Sequence, residues 1–146
     1  MKVKIHVLDG GVKPIKAEGG DWYDLYTRKM MALIKGEYWA IPLGVAMELP
    51  KGYEALVVPR SSTFKKYGIL QCNSVGVIDE AYKGDNDEWH MLVYATRNVI
   101  VPEHIRICQF RIIEHQPSFR FEFVDTLGNP NRGGIGSTDT IEINHL

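Results

Sequence analysis

Val3, Ile5 and Val7 alternate with Lys2, Lys4 and His6 at the start of the chain, the period-two pattern of a half-buried β-strand. Residues 53–59 (YEALVVP) and 105–114 (IRICQFRIIE) predict further strands, and residues 119–124 (FRFEFV) alternate most cleanly of all. In residues 37–48, β-branched and aromatic side chains are broken by Pro42 and Gly44. Proline cannot donate to a sheet ladder, so this stretch predicts an edge strand or two short strands. An apolar run at 75–78 and a second at 88–97 flank a cluster of Gly, Asp and Asn, which predicts a β-hairpin. Helical signals are confined to residues 61–67 (SSTFKKY), with serines suited to cap the start and Gly68 to end it. Many short strands, closely spaced turns and one two-turn helix predict an all-β sandwich or barrel. No repeat, linker or low-complexity tract interrupts the pattern, so residues 1–146 read as a single domain.

At 146 residues the chain can bury a core without covalent staples. A net charge of -1 argues against a general nucleic-acid binder, although a local basic pocket for a small anion is allowed. Cys72 and Cys108 each lie in an apolar run and read as reduced core thiols. No signal peptide is visible, and no apolar stretch approaches the roughly 20 residues needed to span a bilayer, so a soluble cytoplasmic protein is expected.

Candidate chemistry centres on residues 73–87 (NSVGVIDEAYKGDND), where a strand delivers Asp79 to its end and Tyr82 follows three residues later. A carboxylate and an aromatic so placed can activate a water beside a flat ligand, whereas the plain reading of Asp79 is a turn former. Pro59-Arg60-Ser61-Ser62 joins a strand to the helix start. Its hydroxyls, guanidinium and free backbone N–H groups suit phosphate oxygens; the plain reading is a capping serine beside a surface arginine. Residues 131–138 (NRGGIGST) are glycine-dense and could form anion nests, or could be a poorly ordered tail. Asp24 reads as a metal-side or structural acid, or as a turn carboxylate. Gln109, in an apolar strand, needs partners for its amide. The five histidines show no ligand spacing, which argues against a tightly held zinc.

In this order the segments resemble the five motifs of the trimeric dUTP diphosphatase (dUTPase) family, in a Gram-positive bacterial or phage wording. They are Asp24-Leu25, then Pro59-Arg60-Ser61-Ser62, then Gly76-Val77-Ile78-Asp79 with Tyr82 and Gly84. Arg106-Ile107-Cys108-Gln109 and Arg132-Gly133-Gly134-Ile135-Gly136-Ser137-Thr138 complete the set. The resemblance implies a jelly-roll-like β-barrel with one short helix and a flexible glycine-rich C-terminal arm, residues 128–146. It implies a homotrimer in which that arm closes over a neighbour's site, and hydrolysis of dUTP to dUMP and pyrophosphate with Mg²⁺ held chiefly by the triphosphate. By motif position Asp79 would be the general base and Tyr82 would pack under the deoxyribose, excluding a 2′-hydroxyl. Asn73, Gly76 and Ile78 would read uracil. Arg60, Ser61, Ser62 and Gln109 would hold the α- and β-phosphates. Arg132, Ser137 and Thr138 would clasp the γ-phosphate, Gly134 and Ile135 of the same motif would bind the substrate, and Asp24 would act near the metal through waters.

The chain departs from the family pattern at three places. Asp21 and Trp22 stand where the first motif reads Ala-Gly, and His104-Ile105 where the fourth opens Gly-Asp or Gly-Glu. Ile135 stands where the fifth carries a phenylalanine that stacks on uracil, so Trp89 or His90 is expected to supply the ring. On an alternating strand only one of these two can face the site. A dCTP deaminase of the sibling fold is the nearest rival reading, disfavoured because the acid is the short Asp79 rather than a glutamate. A nucleotide-switched regulatory protein is another, though no segment identifies a protein partner.

Overall fold

The structure, a computed structural model, describes residues 1–136. The chain divides into two compact units, Met1–Gln116 and Pro117–Leu146. The first contains twelve strands and one helix: β1 (Lys4–Val7), β2 (Ile15–Lys16), β3 (Tyr23–Tyr26), β4 (Met31–Leu33), β5 (Tyr38–Pro42), β6 (Val45–Glu48), β7 (Tyr53–Pro59), α1 (Thr63–Tyr67), β8 (Ile69–Gln71), β9 (Gly76–Ile78), β10 (His90–Ala95), β11 (Val99–Val101) and β12 (Arg106–Glu114). Every strand pair is antiparallel. The largest sheet runs β2-β3-β12-β7-β9; a second runs β5-β10-β8, and β1-β6 and β11-β4 are two-stranded. This is the nearly all-β architecture the strand pattern predicts, and it agrees with the jelly-roll-like fold that the family resemblance implies. Among the described residues no helix is long and apolar enough to cross a membrane.

Local chemistry explains most of the elements. The stretch around Pro42 and Gly44 forms two short strands, β5 and β6, and β5 lies at a sheet edge where a proline is tolerated. Gly44 breaks the run with φ +69, and a Cβ there would come within 2.7 Å of the Gly11 Cα, so only glycine fits. The helix stops at Gly68, whose left-handed backbone lets its N–H donate to the Phe64 carbonyl. Its start differs from expectation: Ser62 occupies the N-cap position without a side-chain capping bond. Thr63 instead fixes the turn before the helix, its Oγ1 accepting from the Arg60 N–H at 3.1 Å and donating to the Ile107 carbonyl at 2.8 Å.

Two other expectations are corrected. Residues 75–78 and 88–97 do not form a hairpin: β9 pairs with β7, while β10 pairs with β5 and β8. The segment between them is too long for a tight turn and instead crosses from one sheet to the other. Residues 119–124 form no strand. Phe119, Phe121 and Phe123 are exposed and stack on one another along the chain, with ring centroids 5.3 and 6.3 Å apart. Alternation gives a segment two faces but does not by itself supply a strand to pair with.

The core of the first unit packs Leu25, Ile41, Val57, Met91, Val93 and Ile107, all essentially without solvent exposure. Cys108 is buried with them, and burial, then the nearby Asp24 charge, pushes its thiol far above the ordinary range. Cys72 is exposed, and both thiols are free. The apolar side of β1 is less covered: Val3, Ile5 and Val7 line a groove of ≈ 760 Å³ together with Tyr23, Met47 and Phe110.

Candidate active site

A cavity of ≈ 290 Å³ lies between β9 and the start of β10, lined by Asn73, Gly76, Ile78, Asp79, Tyr82 and His90, with Val77, Glu88 and Leu92 completing the wall. The two runs thus flank one pocket although they do not pair. β9 is held against β7 in the register Val57↔Gly76, Leu56↔Val77 and Ala55↔Ile78. At Gly76 a Cβ would sit 3.3 Å from the Val57 Cβ and 3.6 Å from the Asn73 amide nitrogen, so a side chain would crowd the mouth of the pocket. Before it, Ser74 adopts φ +56, and the Val75 N–H donates to the Asn73 carbonyl at 2.5 Å, a tight turn that presents Asn73. Gln71 pins this turn by donating from Nε2 to the carbonyls of Val57 (2.9 Å) and Ser74 (3.3 Å). Gln71 carries no motif, and only the folded chain reveals its part.

Asp79 follows the last residue of β9 and is exposed. Its carbonyl accepts from the Tyr82 N–H at 3.0 Å, which turns the Tyr82 ring back over the pocket. The Tyr82 hydroxyl then donates to the Glu88 carbonyl at 2.9 Å. Partial burial, followed by the charges of Asp87 and Glu88, holds the phenol above its usual pKa, so it stays a donor.

Of Trp89 and His90, only His90 faces the cavity, and its Nδ1 lies 2.8 Å from the Glu88 carbonyl. That oxygen can only accept, so the proton belongs on Nδ1. Trp89 points the opposite way. It has no solvent exposure and packs edge-on against Phe110 with centroids 5.3 Å apart, which removes it as a lid. Trp89→Ala should therefore destabilise the fold by about 3–5 kcal/mol. The folded fraction should bind nucleotide normally; a selective loss of affinity at unchanged unfolding midpoint would return Trp89 to the site.

A second cluster lies at the far end of β7. Pro59 pairs with Cys108 and Val58 with Gln109, while Gln109 pairs on its other side with Asp24 of β3. Asp24 is 1% exposed, with Oδ1 3.3 Å from the Arg60 Nε and Oδ2 3.5 Å from an Arg106 Nη1. A register shift between Arg106 and Cys108 accompanies this placement of the arginine. Arg60 also donates to the Arg106 carbonyl (3.3 Å), and Gln109 Nε2 donates to the Pro59 carbonyl (3.2 Å). Arg106 stands in the fourth motif, but sequence reasoning gave it no role; here it shares the buried carboxylate with Arg60.

The three departures acquire a structural account or a limit. His104 occupies a turn with φ +57, the conformation a glycine there would take freely. The turn is secured by the His104 N–H donating to Thr27 and by its Nε2, 2.9 Å from the Gly10 carbonyl. Trp22 lies under the Arg111 guanidinium, 4.8 Å from its ring centroid. Arg132, Gly134 and Ile135 are exposed in the second unit, and Ser137 and Thr138 lie outside the described residues.

The described residues include no group of three His, Cys, Asp or Glu side chains able to hold a metal ion. Asp24 fits an indirect role better than a direct one. It is buried between two cations, yet its Oδ2 has no hydrogen-bond partner and could accept from a metal-bound water.

The dUTPase family model matches residues 13–141. A SPbeta prophage-derived deoxyuridine 5'-triphosphate nucleotidohydrolase, YosS of Bacillus subtilis (strain 168), is 54% identical over 141 residues, covering 96% of this chain and 99% of the relative. Among solved structures, a dUTPase from phage phi11 of S. aureus, described with a structural Mg(II) ion, superposes with TM-score 0.76 at 16% identity over 87% of this chain and 99% of the other. The Staphylococcus bacteriophage 80alpha dUTPase bound to dUPNHPP gives 0.74 at 20% identity over 93% and 97%. The phage structures bear on the fold alone. With the family match spanning the motif-bearing chain and the prophage relative covering nearly all of it, the chain belongs to the dUTPase family.

Proposed function

We propose that this chain hydrolyses dUTP to dUMP and pyrophosphate, which limits uracil incorporation into DNA and supplies dUMP for dTMP synthesis. The observation that carries the reading is one concave pocket holding Asn73, Gly76, Ile78, Asp79 and Tyr82 together. Asn73 and the backbone around Gly76 and Ile78 read the uracil edge, His90 covers the base, and Tyr82 lies under the deoxyribose where a 2′-hydroxyl would collide. Arg60, Ser61, Ser62 and Gln109 hold the α- and β-phosphates. Arg132, Ser137 and Thr138 close over the γ-phosphate, with Gly134 and Ile135 of the same segment against the substrate.

Asp79 orients a water and takes its proton as the water oxygen bonds to the α-phosphorus. The bond from that phosphorus to the bridging oxygen breaks, and pyrophosphate leaves with the electron pair. Asp24 would hold a Mg²⁺ ion only through waters, and such an ion, brought chiefly by the substrate's phosphates, would supply charge neutralisation. Positioning and electrostatics carry most of the acceleration, so the aspartate needs only a modest pKa match.

The active form is a homotrimer in this reading. Arg60 and Asp79 leave β7 and β9 at opposite ends of their shared ladder. Pro59 and Ala55, their nearest paired positions on β7, are roughly 13 Å apart at ~3.3 Å per residue. Subunits that each contribute one end would complete a site. The groove beside β1 offers a strand edge and apolar side chains suited to residues 119–124 of a neighbouring copy. The arm of residues 128–146 then closes over that neighbour's nucleotide. We place the enzyme in the cytoplasm, whose reducing conditions suit two free thiols.

Deoxynucleoside triphosphates incubated singly with the chain and Mg²⁺, with pyrophosphate and ammonia both measured, test this reading. Pyrophosphate should appear from dUTP alone, one per dUMP. Ammonia from dCTP would replace the proposal with the deaminase reading.

A further inference from the structure

Glu88 is a buried acid that belongs to none of the five motif segments. Its side chain is 10% exposed and accepts two hydrogen bonds from Arg28: Nε to Oε2 at 2.8 Å and Nη2 to Oε1 at 3.0 Å. The Gly44 N–H adds a third, to Oε2 at 2.8 Å. Arg28 is itself fixed, its backbone N–H donating to the Pro42 carbonyl at 3.0 Å. Its side chain packs so closely over Gly44 that a Cβ there would meet the Arg28 Cβ at 3.3 Å. A bidentate arginine and a buried N–H together leave the Glu88 carboxylate little freedom.

The main chain of Glu88 faces the pocket. Its carbonyl oxygen accepts from both the Tyr82 hydroxyl and the His90 Nδ1, the two rings that bracket the nucleoside in the proposed reading. The carboxylate also stands 3.9 Å from the His90 Nε2. One residue, locked from outside the pocket by Arg28, therefore sets both rings.

We propose that the Arg28–Glu88 pair is a positioning device for sugar selection: it fixes the carbonyl that holds Tyr82 and so determines how strongly a ribonucleotide is rejected. This rests on the reading that Tyr82 lies against the deoxyribose. Loss of Arg28 leaves a buried carboxylate on one N–H, and the Glu88 peptide must turn to hydrate it. Tyr82 then loses its anchor while the phosphate-binding cluster is untouched.

The test uses the full chain with Mg²⁺, measuring kcat and KM for dUTP and for UTP together with the unfolding midpoint. Arg28→Met should raise the dUTP KM about tenfold with kcat held within about threefold, and should lower the dUTP-over-UTP ratio of kcat/KM about tenfold. Arg28→Lys, keeping charge but not the fork, should recover part of that ratio. Tyr82→Phe should reproduce the drop, and Arg28→Met added to it should lower the ratio no further. An unchanged ratio in a folded Arg28→Met variant overturns the proposal whatever its stability. Should that variant not fold, unchanged ratios in both Arg28→Lys and Tyr82→Phe overturn it. A parent chain that does not prefer dUTP to UTP overturns the proposal and the reading beneath it; a preference kept intact in Arg28→Met overturns the proposal alone.

Discussion

Asp79→Asn should bind a non-hydrolysable dUTP analogue about as tightly as the parent chain while its kcat falls about 10²–10⁴-fold. The substitution preserves shape at the end of β9 and leaves an amide able to hydrogen-bond a water. It removes the group that can take a proton. Because the proposed phosphate contacts come from Arg60, Gln109 and the C-terminal arm, binding should be spared while the bond-making step loses its acceptor. Titration calorimetry with the analogue and steady-state pyrophosphate release separate the two effects. Turnover within a few-fold of the parent would remove Asp79 from the mechanism.

Truncation after Leu127 should leave a folded, trimeric body whose kcat/KM for dUTP falls at least about 10²-fold. The buried core lies within Met1–Gln116, and among the described residues from Pro117 onward none is buried, so packing is retained. What is lost is Arg132 and the glycine segment with its hydroxyls, which in our reading exclude water and hold the terminal phosphate. Residues 119–124 are kept, so the proposed contact with a neighbouring copy survives. Sedimentation and thermal unfolding report the body, and pyrophosphate release reports the clasp. Unfolding on truncation would make the tail structural.

Elements defined by their own residues were legible before the fold was known. β7 matches its predicted span, β5 and β6 are the two short strands that Pro42 and Gly44 predict, and Gly68 ends the helix. Partner choice was not legible. Residues 75–78 and 88–97 each looked like a strand, but alternation states which side chains share a face, not which neighbour accepts the hydrogen bonds. The same limit explains residues 119–124, a clean alternating pattern that forms no strand. For the site, the motifs named Asp79, Tyr82 and Arg60; the first two line one cavity, and Arg60 lies against Asp24 in a separate cluster. The choice between Trp89 and His90 needed burial, which two adjacent aromatic-type residues in a sequence do not disclose. Arg28 and Glu88 lie 60 positions apart and match no signature, so their pairing appears only when the chain is folded.

The deep placement of Cys108 has a practical corollary. A thiol held so far from ionisation, and sealed from solvent, will not react with maleimides or iodoacetamides, whereas Cys72 stands in the open one residue before Asn73. The native chain thus offers one exposed thiol, next in sequence to a residue of the cavity wall, where a fluorophore could be attached without any engineered substitution.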